Sequence, residues 1–294
     1  MNLFDDLPEG VCRRNVPLAP LTWFKLGDAA ESFVEPQTQQ QLAEIVRRCG
    51  ETNTPIRVLG LGANVLVPDE GVRGVVLRLS AAPFTKMVFD GERALVGGGL
   101  DLTRLVRNAV RSGLAGLEPL AGIPGTVGGG ICMNCGGRFG EIASALSHVD
   151  VIGVDGQIRR RSVRDLRFGY RTCHLDGDYV VGAAFQLRRT DPAKLRRRFE
   201  DIWAYKQQTQ PTLGVQSVGC IFRNPSGRSA GQLIDRAGLK GFRIGSASIS
   251  PRHANFALAD RGGRAGDVRR LITTVADRVA EHCGVRLEPE VKIW

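Results

Sequence analysis

The chain has 294 residues, 43% of them hydrophobic and 24% charged, with a formal net charge of +10. This composition is typical of a globular protein that buries a real core in one large or two modest domains. No apolar run is long enough to span a bilayer, and the opening residues MNLFDDLPEGVCRRN lack a hydrophobic signal core, so we expect a cytoplasmic protein without membrane insertion.

The first hundred residues alternate strands with helices. SFVEP is predicted as a strand, and TQQQLAEIVRRCGETN as a helix with Thr38 as its N-cap and Gly50 near its end. PIRVLGLG is predicted as a buried strand that runs into a glycine turn, and VRGVVLRLS as a second strand. KMVFDGERALVGGGL has the Asp-Gly turn of a hairpin.

The pattern continues to the end of the chain. DLTRLVRNAVRSGL is predicted as a helix capped by Asp101, IASALSHVDVIGVDGQIRRRSV as a second Asp-Gly hairpin, and DYVVGAAFQLRR as a strand that ends near residue 189. Helices follow at DPAKLRRRFEDIWAYKQQ, SAGQLIDRAG and residues 266–283, and strands at the Cys220 segment, around SASISPRHANFALAD and at VRLEPEVKIW. The simplest division is two α+β domains joined near residue 190, since no repeat or long linker interrupts the chain.

Two basic runs carry part of the positive charge. We interpret the first, RRRSVRDLRFGYR, as a solvated strand and loop. We interpret the second, KLRRRFEDIWAYK, as an amphipathic helix with an exposed basic face. Aromatic residues make up only 6% of the chain and do not interleave with the basic ones, as they do where bases stack. The charge therefore favours an anionic small molecule over nucleic acid, and no obligate protein partner is evident.

The seven cysteines, at positions 12, 49, 132, 135, 173, 220 and 283, do not form a disulfide framework pattern. Cys132 and Cys135 form a CxxC, but no second CxxC or HxxxH completes a metal shell, so we predict no metal and interpret the pair as small residues packing in a loop. Cys220, in SVGCIFRNPSG, is either core filler or an active-site group, and the residues alone favour core filler.

Two glycine-rich loops indicate a bound nucleotide. In VLGLGANVLV, glycines follow a strand and let backbone N–H groups approach an anion, but the third glycine and the helix of a Rossmann site are missing. In LAGIPGTVGGGICMNCGGRFGE, eight glycines between Gly122 and Gly140 are threaded with apolar residues, which suits a backbone folded closely around a large ligand. A buried structural loop would have a similar composition, so this alternative stays open.

At these residues the sequence resembles the UDP-N-acetylenolpyruvoylglucosamine reductases (UDP-N-acetylmuramate dehydrogenases), flavoenzymes of peptidoglycan precursor synthesis. The resemblance covers nearly the whole chain, from NVPLAPLTWFKLG to LEPEVKI, and rests on GLGANVLV, GIPGTVGG, MNCGG, FGYR, TQP, GCIFRNP, AGQLIDRAGLKG, HANF and LEPEV in this order and spacing. The short interval between Arg171 and Cys220 resembles the shorter subclass, which lacks an additional substrate-covering loop.

The resemblance implies an α+β fold in two domains. Residues 1–190 would form an FAD-binding domain of the vanillyl-alcohol-oxidase (PCMH) type with two subdomains split near residue 82, and residues 191–294 a smaller C-terminal domain for the UDP-sugar. It also implies that NADPH reduces FAD, which then reduces the enolpyruvyl ether to a lactyl ether. The flavin contacts are then expected in the two glycine loops, at Gly60, Gly62, Ala63, Asn64 and Leu66 and at Gly122, Ile123, Pro124, Gly125, Thr126, Gly128, Gly129, Asn134 and Gly136.

The family motifs further imply three catalytic residues. FGYR supplies Arg171, GCIFRNP supplies Cys220 where most members have serine, and LEPEV supplies Glu290. Arginine suits the substrate carboxylate, a protonated or shared Glu290 can donate to the developing charge, and Cys220 stands where the family's proton donor stands. Substrate contacts are expected at Tyr170, Arg223, Asn224, Arg228, Lys240 and His253, although His253 could equally be a core histidine.

Two other functions are compatible with parts of the sequence. One is a different FAD-dependent oxidase of the same fold, which would need a covalent flavin anchor or another substrate pocket; the GCIFRNP and LEPEV pair argues against it. The other is a catalytically silent nucleotide-binding module. The presence of bound flavin, and its response to NADPH and to the sugar, would discriminate the three.

Overall fold

The computed structural model describes residues 3–210 and 216–294, and the chain divides into two compact units. The first unit comprises Met1–Arg14, Glu31–Leu61 and Arg73–Tyr205, and the second comprises Asn15–Ala30, Gly62–Val72 and Lys206–Trp294. The predicted domain boundary near residue 190 and the predicted split into two subdomains near residue 82 stay predictions. Pro211, the last residue of the TQP motif, lies outside the described residues.

The α-helices of the described residues begin largely where the capping residues predict. Thr38 and Asp101 are N-caps whose side chains accept hydrogen bonds from the backbone N–H groups of Gln41 and Arg104. The basic helix buries Leu195 and Ile202, and its arginines at 196–198 are exposed, as predicted for a solvated face. The helices are α1 Gln39–Glu51, α2 Ala82–Thr85, α3 Leu102–Arg111, α4 Val127–Cys132, α5 Pro192–Thr209, α6 Ala230–Arg236 and α7 Ala265–Cys283.

The strands of the described residues are short. In chain order they are β1 Cys12–Pro17, β2 Ala29–Val34, β3 Ile56–Val58, β4 Val65–Leu66, β5 Val72–Leu77, β6 Met87–Asp90, β7 Arg93–Gly97, β8 Leu114–Ala115, β9 Gly136–Gly137, β10 Gly140–Glu141, β11 Leu146–Ile152, β12 Ile158–Ser162, β13 Arg167–Gly169, β14 Thr172–His174, β15 Tyr179–Gln186, β16 Arg188–Arg189, β17 Arg243–Ile244, β18 Ala247–Ile249, β19 Ala257–Ala259 and β20 Lys292–Ile293.

A five-stranded antiparallel sheet with the order β12-β11-β15-β7-β6 lies in the first unit. A four-stranded sheet has the order β1-β2-β5-β3, and the chain passes between the units within β1, β2 and β5. The second unit contains the antiparallel sheet β17-β18-β19 and the parallel pair β4 and β20. Helices and sheets occur together in each unit, which agrees with the predicted α+β class.

Both predicted Asp-Gly hairpins are confirmed. Asp90 pairs with Arg93 at the end of β6 and β7, and Gly91 between them has a φ of 58°, which glycine adopts without strain. In the second hairpin, Ile152 of β11 pairs with Ile158 of β12, and Gly156 lies in the connecting loop. Each turn fixes which residues of its two strands are paired, and this pairing in turn determines which side chains face the core, because successive side chains of a strand point to opposite faces.

Each unit has its own hydrophobic core. In the first unit, the apolar stripe of α3 (Leu102, Leu105, Val106 and Ala109) packs in one cluster with inward side chains of β7, β11 and β15. A second cluster of this unit surrounds Leu42, Ile45 and Val46 of α1. In the second unit, α7 packs its buried face with α6, β18 and the segment around Phe222.

Some predicted strands differ from the observed ones. VRLEPEVKIW forms only the short β20, and Pro289 makes an isolated bridge with Phe222, because proline has no N–H to donate to a continuous ladder. The predicted cysteine strand is likewise an isolated bridge between Cys220 and Phe256. The predicted strand at PIRVLGLG forms as β3, but the expectation that it is buried is wrong, since its residues are partly exposed and Val58 is 40% exposed.

None of the helices in the described ranges is both long and apolar enough to cross a membrane. Within the same ranges, no group of three or more histidine, cysteine, aspartate or glutamate side chains is arranged to hold a metal ion. The two cysteines of the CxxC have different surroundings: Cys132 is exposed, whereas Cys135 is buried in the core around α3.

Candidate active site

The long glycine loop of the first unit leads into α4. Thr126 is the N-cap of this helix, and its side chain accepts a hydrogen bond from the Gly129 N–H. Two glycines of the helix face the protein interior: a Cβ on Gly128 would lie 3.0 Å from the Gly98 carbonyl oxygen, and one on Gly130 would lie 3.0 Å from the Cys135 sulfur. These two glycines are therefore explained by packing alone.

Other glycines of the same loop leave the backbone bare on its outer side. A Cβ on Gly125 would meet no atom within 4 Å, and one on the exposed Gly129 would meet only the Thr126 hydroxyl, at 3.3 Å. A Cβ on Gly129 would require only a small shift of the Thr126 hydroxyl, so the main effect of the missing side chain is room for another molecule to approach the backbone directly. This bare face fits a large flat cofactor such as a flavin.

The first glycine loop meets the second at Gly60. A Cβ on Gly60 would lie 2.7 Å from the Thr126 hydroxyl, so this position tolerates only glycine while α4 keeps its N-cap. Both residues belong to the first unit. The two loops that the sequence marks as nucleotide-binding are thus in contact through one glycine and one capping residue.

The other predicted cofactor residues have varied environments. Gly62 has a φ of 64°, and a Cβ there would lie 2.4 Å from the Leu21 carbonyl oxygen, so packing within the second unit requires this glycine. Gly122 has a φ of 73°. The remaining predicted residues are buried (Ala63, Leu66 and Asn134) or partly buried (Asn64, Ile123, Pro124 and Gly136). Their contacts with a flavin stay predictions.

In the second unit, Cys220 and Glu290 come from distant parts of the sequence and lie on adjacent segments. The Glu290 N–H donates to the Ile221 carbonyl at 2.8 Å, and the Arg223 N–H donates to the Glu288 carbonyl at 2.9 Å. Ile221 and Phe222 are fully buried, whereas Cys220 and Glu290 are half-buried. Buried neighbours thus anchor the backbone on which these two partly accessible side chains stand.

The Glu290 segment is also bound by the first glycine loop. The Asn64 side-chain amide donates to the Glu290 carbonyl at 3.3 Å, and the Lys292 N–H donates to the Asn64 carbonyl at 3.0 Å. β4 and β20 continue this contact as a parallel pair. Asn64, a predicted cofactor residue, therefore also orders the segment that carries a predicted catalytic residue.

Asn255 is a residue of this site that the sequence analysis did not single out. Its side-chain oxygen accepts from the Phe222 N–H at 3.0 Å, and its amide donates to the Phe222 carbonyl at 2.8 Å. It is 3% exposed, so water does not compete for these bonds. HANF contains the signal, a polar residue between apolar ones, but the sequence does not reveal which backbone the amide binds.

Arg171 occupies the tip of a hairpin in the first unit. Gly169 of β13 pairs with Thr172 of β14, so Tyr170 and Arg171 form a two-residue turn. Arg171 has a φ of 57°, a left-handed conformation that costs a non-glycine residue roughly 1–2 kcal/mol. Its guanidinium lies 5.2 Å from the ring centre of Tyr170, which is 50% exposed. Lys25 and Asp176 have a similar φ, so the conformation alone does not assign a role, and the catalytic role of Arg171 stays a prediction.

The other predicted substrate residues all belong to the second unit. Asn224 and Arg228 are exposed, and the Asn224 side-chain oxygen accepts from the Ala230 N–H at the start of α6. Lys240 is exposed and forms an ion pair with Asp235 at 2.7 Å. Arg223 is half-buried beside Glu288, with a nitrogen to oxygen distance of 4.0 Å.

His253 is half-buried and packs its ring on Phe256 with 4.7 Å between the ring centres. Burial lowers the pKa of His253 below the ordinary histidine value. Its neutral Nδ1 accepts a hydrogen bond from the Asn255 N–H at 3.3 Å. This geometry agrees with the alternative role of a core histidine that satisfies a backbone group, and a role towards substrate phosphates stays a prediction.

The α+β fold and the bare glycine loop agree with a flavin-dependent oxidoreductase with an FAD-binding domain of the vanillyl-alcohol-oxidase type, and the family matches show this class. Residues 30–162 match the family described as FAD binding domain, and residues 210–294 match that described as UDP-N-acetylenolpyruvoylglucosamine reductase, C-terminal domain. The chain belongs to the UDP-N-acetylenolpyruvoylglucosamine reductase family, because relatives with this name match it over nearly its whole length.

The reductase of Heliobacterium modesticaldum is 42% identical over 94% of this chain and 88% of its own. Reductase 2 of Symbiobacterium thermophilum is 40% identical over 97% and 92%. The crystal structure of the reductase from Thermus caldophilus superposes with a TM-score of 0.83 at 38% identity and covers 96% of this chain and 99% of its own. The predicted family, enzyme class and cofactors, FAD and NADPH, are confirmed by this membership.

A more distant solved structure shows the fold only. Phl p 4.0202, a glucose dehydrogenase, is 15% identical to this chain and has a TM-score of 0.51, covering 98% of this chain and 59% of its own. At this identity, a common fold does not establish a common substrate.

Proposed function

We propose that this enzyme reduces UDP-N-acetylglucosamine enolpyruvate to UDP-N-acetylmuramate, a step of peptidoglycan precursor synthesis, with NADPH as the reductant and FAD as the carrier. The names of its relatives support this substrate. The observation that carries the proposal is the position of Cys220 and Glu290 on adjacent, hydrogen-bonded segments of the second unit. These are two of the three groups that the reaction requires.

The residues that would hold FAD are those of the two glycine loops, with the bare backbone at Gly125 and Gly129 as the approach face. FAD supplies hydride transfer when it is bound. The protein must then manage charge and protons on the substrate. Hydride addition to the terminal carbon of the enol ether leaves negative charge on the carboxylate side, and the adjacent carbon needs a proton.

Arg171 binds the substrate carboxylate in this proposal. Its guanidinium is always charged and offers paired N–H donors. A requirement for this side chain at the substrate carboxylate would explain why arginine, and not glycine, occupies a turn position with a φ of 57°. Glu290, if it retains or shares a proton, donates a hydrogen bond to the same developing charge. Both groups act by stabilising charge that appears in the transition state.

Cys220 donates the proton to carbon. An ordinary thiol has a pKa of about 8.5, far below that of an alcohol, so cysteine is the more acidic donor at the position where most family members have serine. A thiolate could not donate, so the reaction requires Cys220 in its protonated form. Its half-buried position leaves the sulfur partly accessible.

Binding of the UDP portion falls to Asn224 and Arg223, with Arg228, Lys240 and His253 near the phosphates and Tyr170 beside the reacting end. The net charge of +10 supports an anionic substrate. Residues 1–190 would then bind FAD, and residues 191–294 would bind the UDP-sugar. A cytoplasmic location, and independence from nucleic acid and from obligate protein partners, remain predictions from the sequence.

The test is the visible spectrum of the purified protein. We expect yellow protein that NADPH bleaches and that the UDP-enolpyruvyl sugar recolours in the absence of oxygen. Colour and bleaching without recolouring would indicate a different flavin-dependent oxidase. Protein that neither contains flavin nor binds added FAD would indicate the silent nucleotide-binding module, and either result would overturn the proposal.

Variants at Cys220 test the proton donor separately. Cys220→Ala is expected to keep NADPH bleaching and to lose recolouring, because only the second half-reaction needs the proton. Cys220→Ser is the matched control and is expected to retain recolouring, since serine occupies this position in most of the family. If Cys220→Ala recolours at the parent rate, the thiol is a packing residue and the donor lies elsewhere.

A further inference from the structure

The side chain of Asn134 connects the end of the long glycine loop to the hairpin that carries Arg171. Its amide nitrogen donates to the Gly169 carbonyl at 3.1 Å, and its oxygen accepts from the Ala143 N–H at 3.4 Å. Asn134 is 1% exposed. All of these residues belong to the first unit.

Only one orientation of the amide satisfies both neighbours, because the Gly169 carbonyl can only accept and the Ala143 N–H can only donate. The Asn134 side chain itself is buried, whereas Gly169 and Ala143 are partly buried, so water competes only in part for the two bonds. The amide therefore fixes the position of Gly169 relative to the end of α4.

Gly169 is the residue immediately before the Tyr170–Arg171 turn and pairs with Thr172 on its other side. The turn must hold Arg171 at a φ of 57° against the preference of a side-chain-bearing residue. A strained conformation persists only when its surroundings over-determine it. The Asn134 amide is a second restraint at the base of the turn, in addition to the β13–β14 pairing.

The end of α4 explains the backbone conformation of Asn134 but not its side chain. This residue follows Met133, the C-cap of α4, and has a φ of 39°, where asparagine and glycine are both common at a helix end. Glycine would satisfy that requirement equally well. The helix end therefore does not explain why a full amide is buried there with its donor on the Gly169 carbonyl.

We propose that Asn134 is a positioning residue for Arg171, joining the glycine loop to the base of the arginine turn so that the guanidinium is held ready for the substrate carboxylate. This inference rests on the proposed function of Arg171. It gives Asn134 a role distinct from the flavin contact expected from the sequence, since the described bonds of its side chain go to the protein backbone.

The test uses Asn134→Gly, which keeps the left-handed helix end and removes the amide, and Asn134→Asp, which keeps an acceptor for Ala143 and removes the donor to Gly169. Because Asn134 lies in a loop that would hold FAD, the rates are measured with FAD added to saturation, and we expect bleaching by NADPH to slow less than recolouring in both variants. Recolouring by the UDP-enolpyruvyl sugar should slow by roughly tenfold or more, because a misplaced binding group costs up to about a hundredfold per ångström.

The decisive measurement repeats Asn134→Gly in an Arg171→Gly background, in which the turn keeps a residue suited to positive φ. If Asn134 acts through Arg171, the second substitution should change the recolouring rate by less than about twofold there. Equal slowing of recolouring in both backgrounds, equal slowing of bleaching and recolouring, or parent-like recolouring of Asn134→Asp would each overturn the inference. Parent-like recolouring of Arg171→Gly alone would instead show that the proposed role of Arg171 is wrong.

Discussion

Replacing Asn255 should destabilise the segment that carries Cys220. Asn255→Ala removes the two side-chain hydrogen bonds to Phe222, of 3.0 and 2.8 Å, and leaves both backbone groups of a residue that is 1% exposed without these partners. Each buried group left unsatisfied costs about 1–3 kcal/mol, so we expect a loss of about 2–6 kcal/mol in the free energy of unfolding. Asn255→Asp keeps the acceptor and loses the donor, and it also places a buried carboxylate against the Phe222 carbonyl, so its loss at neutral pH should be at least as large as that of Asn255→Ala.

Two measurements check this expectation. Urea unfolding gives the free energy, and hydrogen exchange of the Phe222 amide reports the local bond, which should open more readily in Asn255→Ala. Asn108→Ala is the control, because the Asn108 amide donates to a helix carbonyl at the protein surface and its loss should change stability by less than about 0.5 kcal/mol. Parent-like stability and exchange in Asn255→Ala would refute the account of this segment.

Three further outcomes follow from the structure. Gly129→Ala should weaken FAD binding in fluorescence titrations and change the stability of the apoprotein little. Gly130→Ala, whose Cβ would lie 3.0 Å from the Cys135 sulfur, should lower stability. Equal FAD affinity of Gly129→Ala and the parent would contradict the assignment of the bare face. Hydrogen bonds from the Ser246 N–H and hydroxyl lower the pKa of Asp267 from 3.8 to about 2. The ionised carboxylate therefore stabilises the fold fully at pH values above 3.8, and this stabilisation is lost as the pH falls towards 2. Urea unfolding should therefore show that the loss of stability caused by Asp267→Asn shrinks as the pH falls through this range, and a loss that is independent of pH would contradict the assignment. Finally, recolouring by the parent should slow at alkaline pH as Cys220 ionises and remain level in Cys220→Ser; a parent profile that is flat well beyond about pH 9 would remove the thiol as the donor.

The elements that short-range rules describe could be predicted from the sequence. Thr38 and Asp101 cap their helices because their own side chains reach the nearby N–H groups, and both Asp-Gly turns form hairpins because glycine accepts positive φ. The ordered motifs led to the family and its cofactors, which the relatives confirm. Local chemistry and motif order require no knowledge of which distant segments meet.

Other features depend on contacts between segments far apart in the chain. That Glu290 binds next to Cys220, that Asn255 holds Phe222, and that Asn134 reaches Gly169 all result from long-range packing. Gly128 and Gly130 face the protein interior, whereas Gly125 and Gly129 face outwards. The sequence does not distinguish the two pairs, because they differ only in the atoms that surround each α-carbon. The sequence determined the chemical groups and the turns, whereas the tertiary structure decided their neighbours, because burial and hydrogen bonding between distant segments are properties of the packed chain.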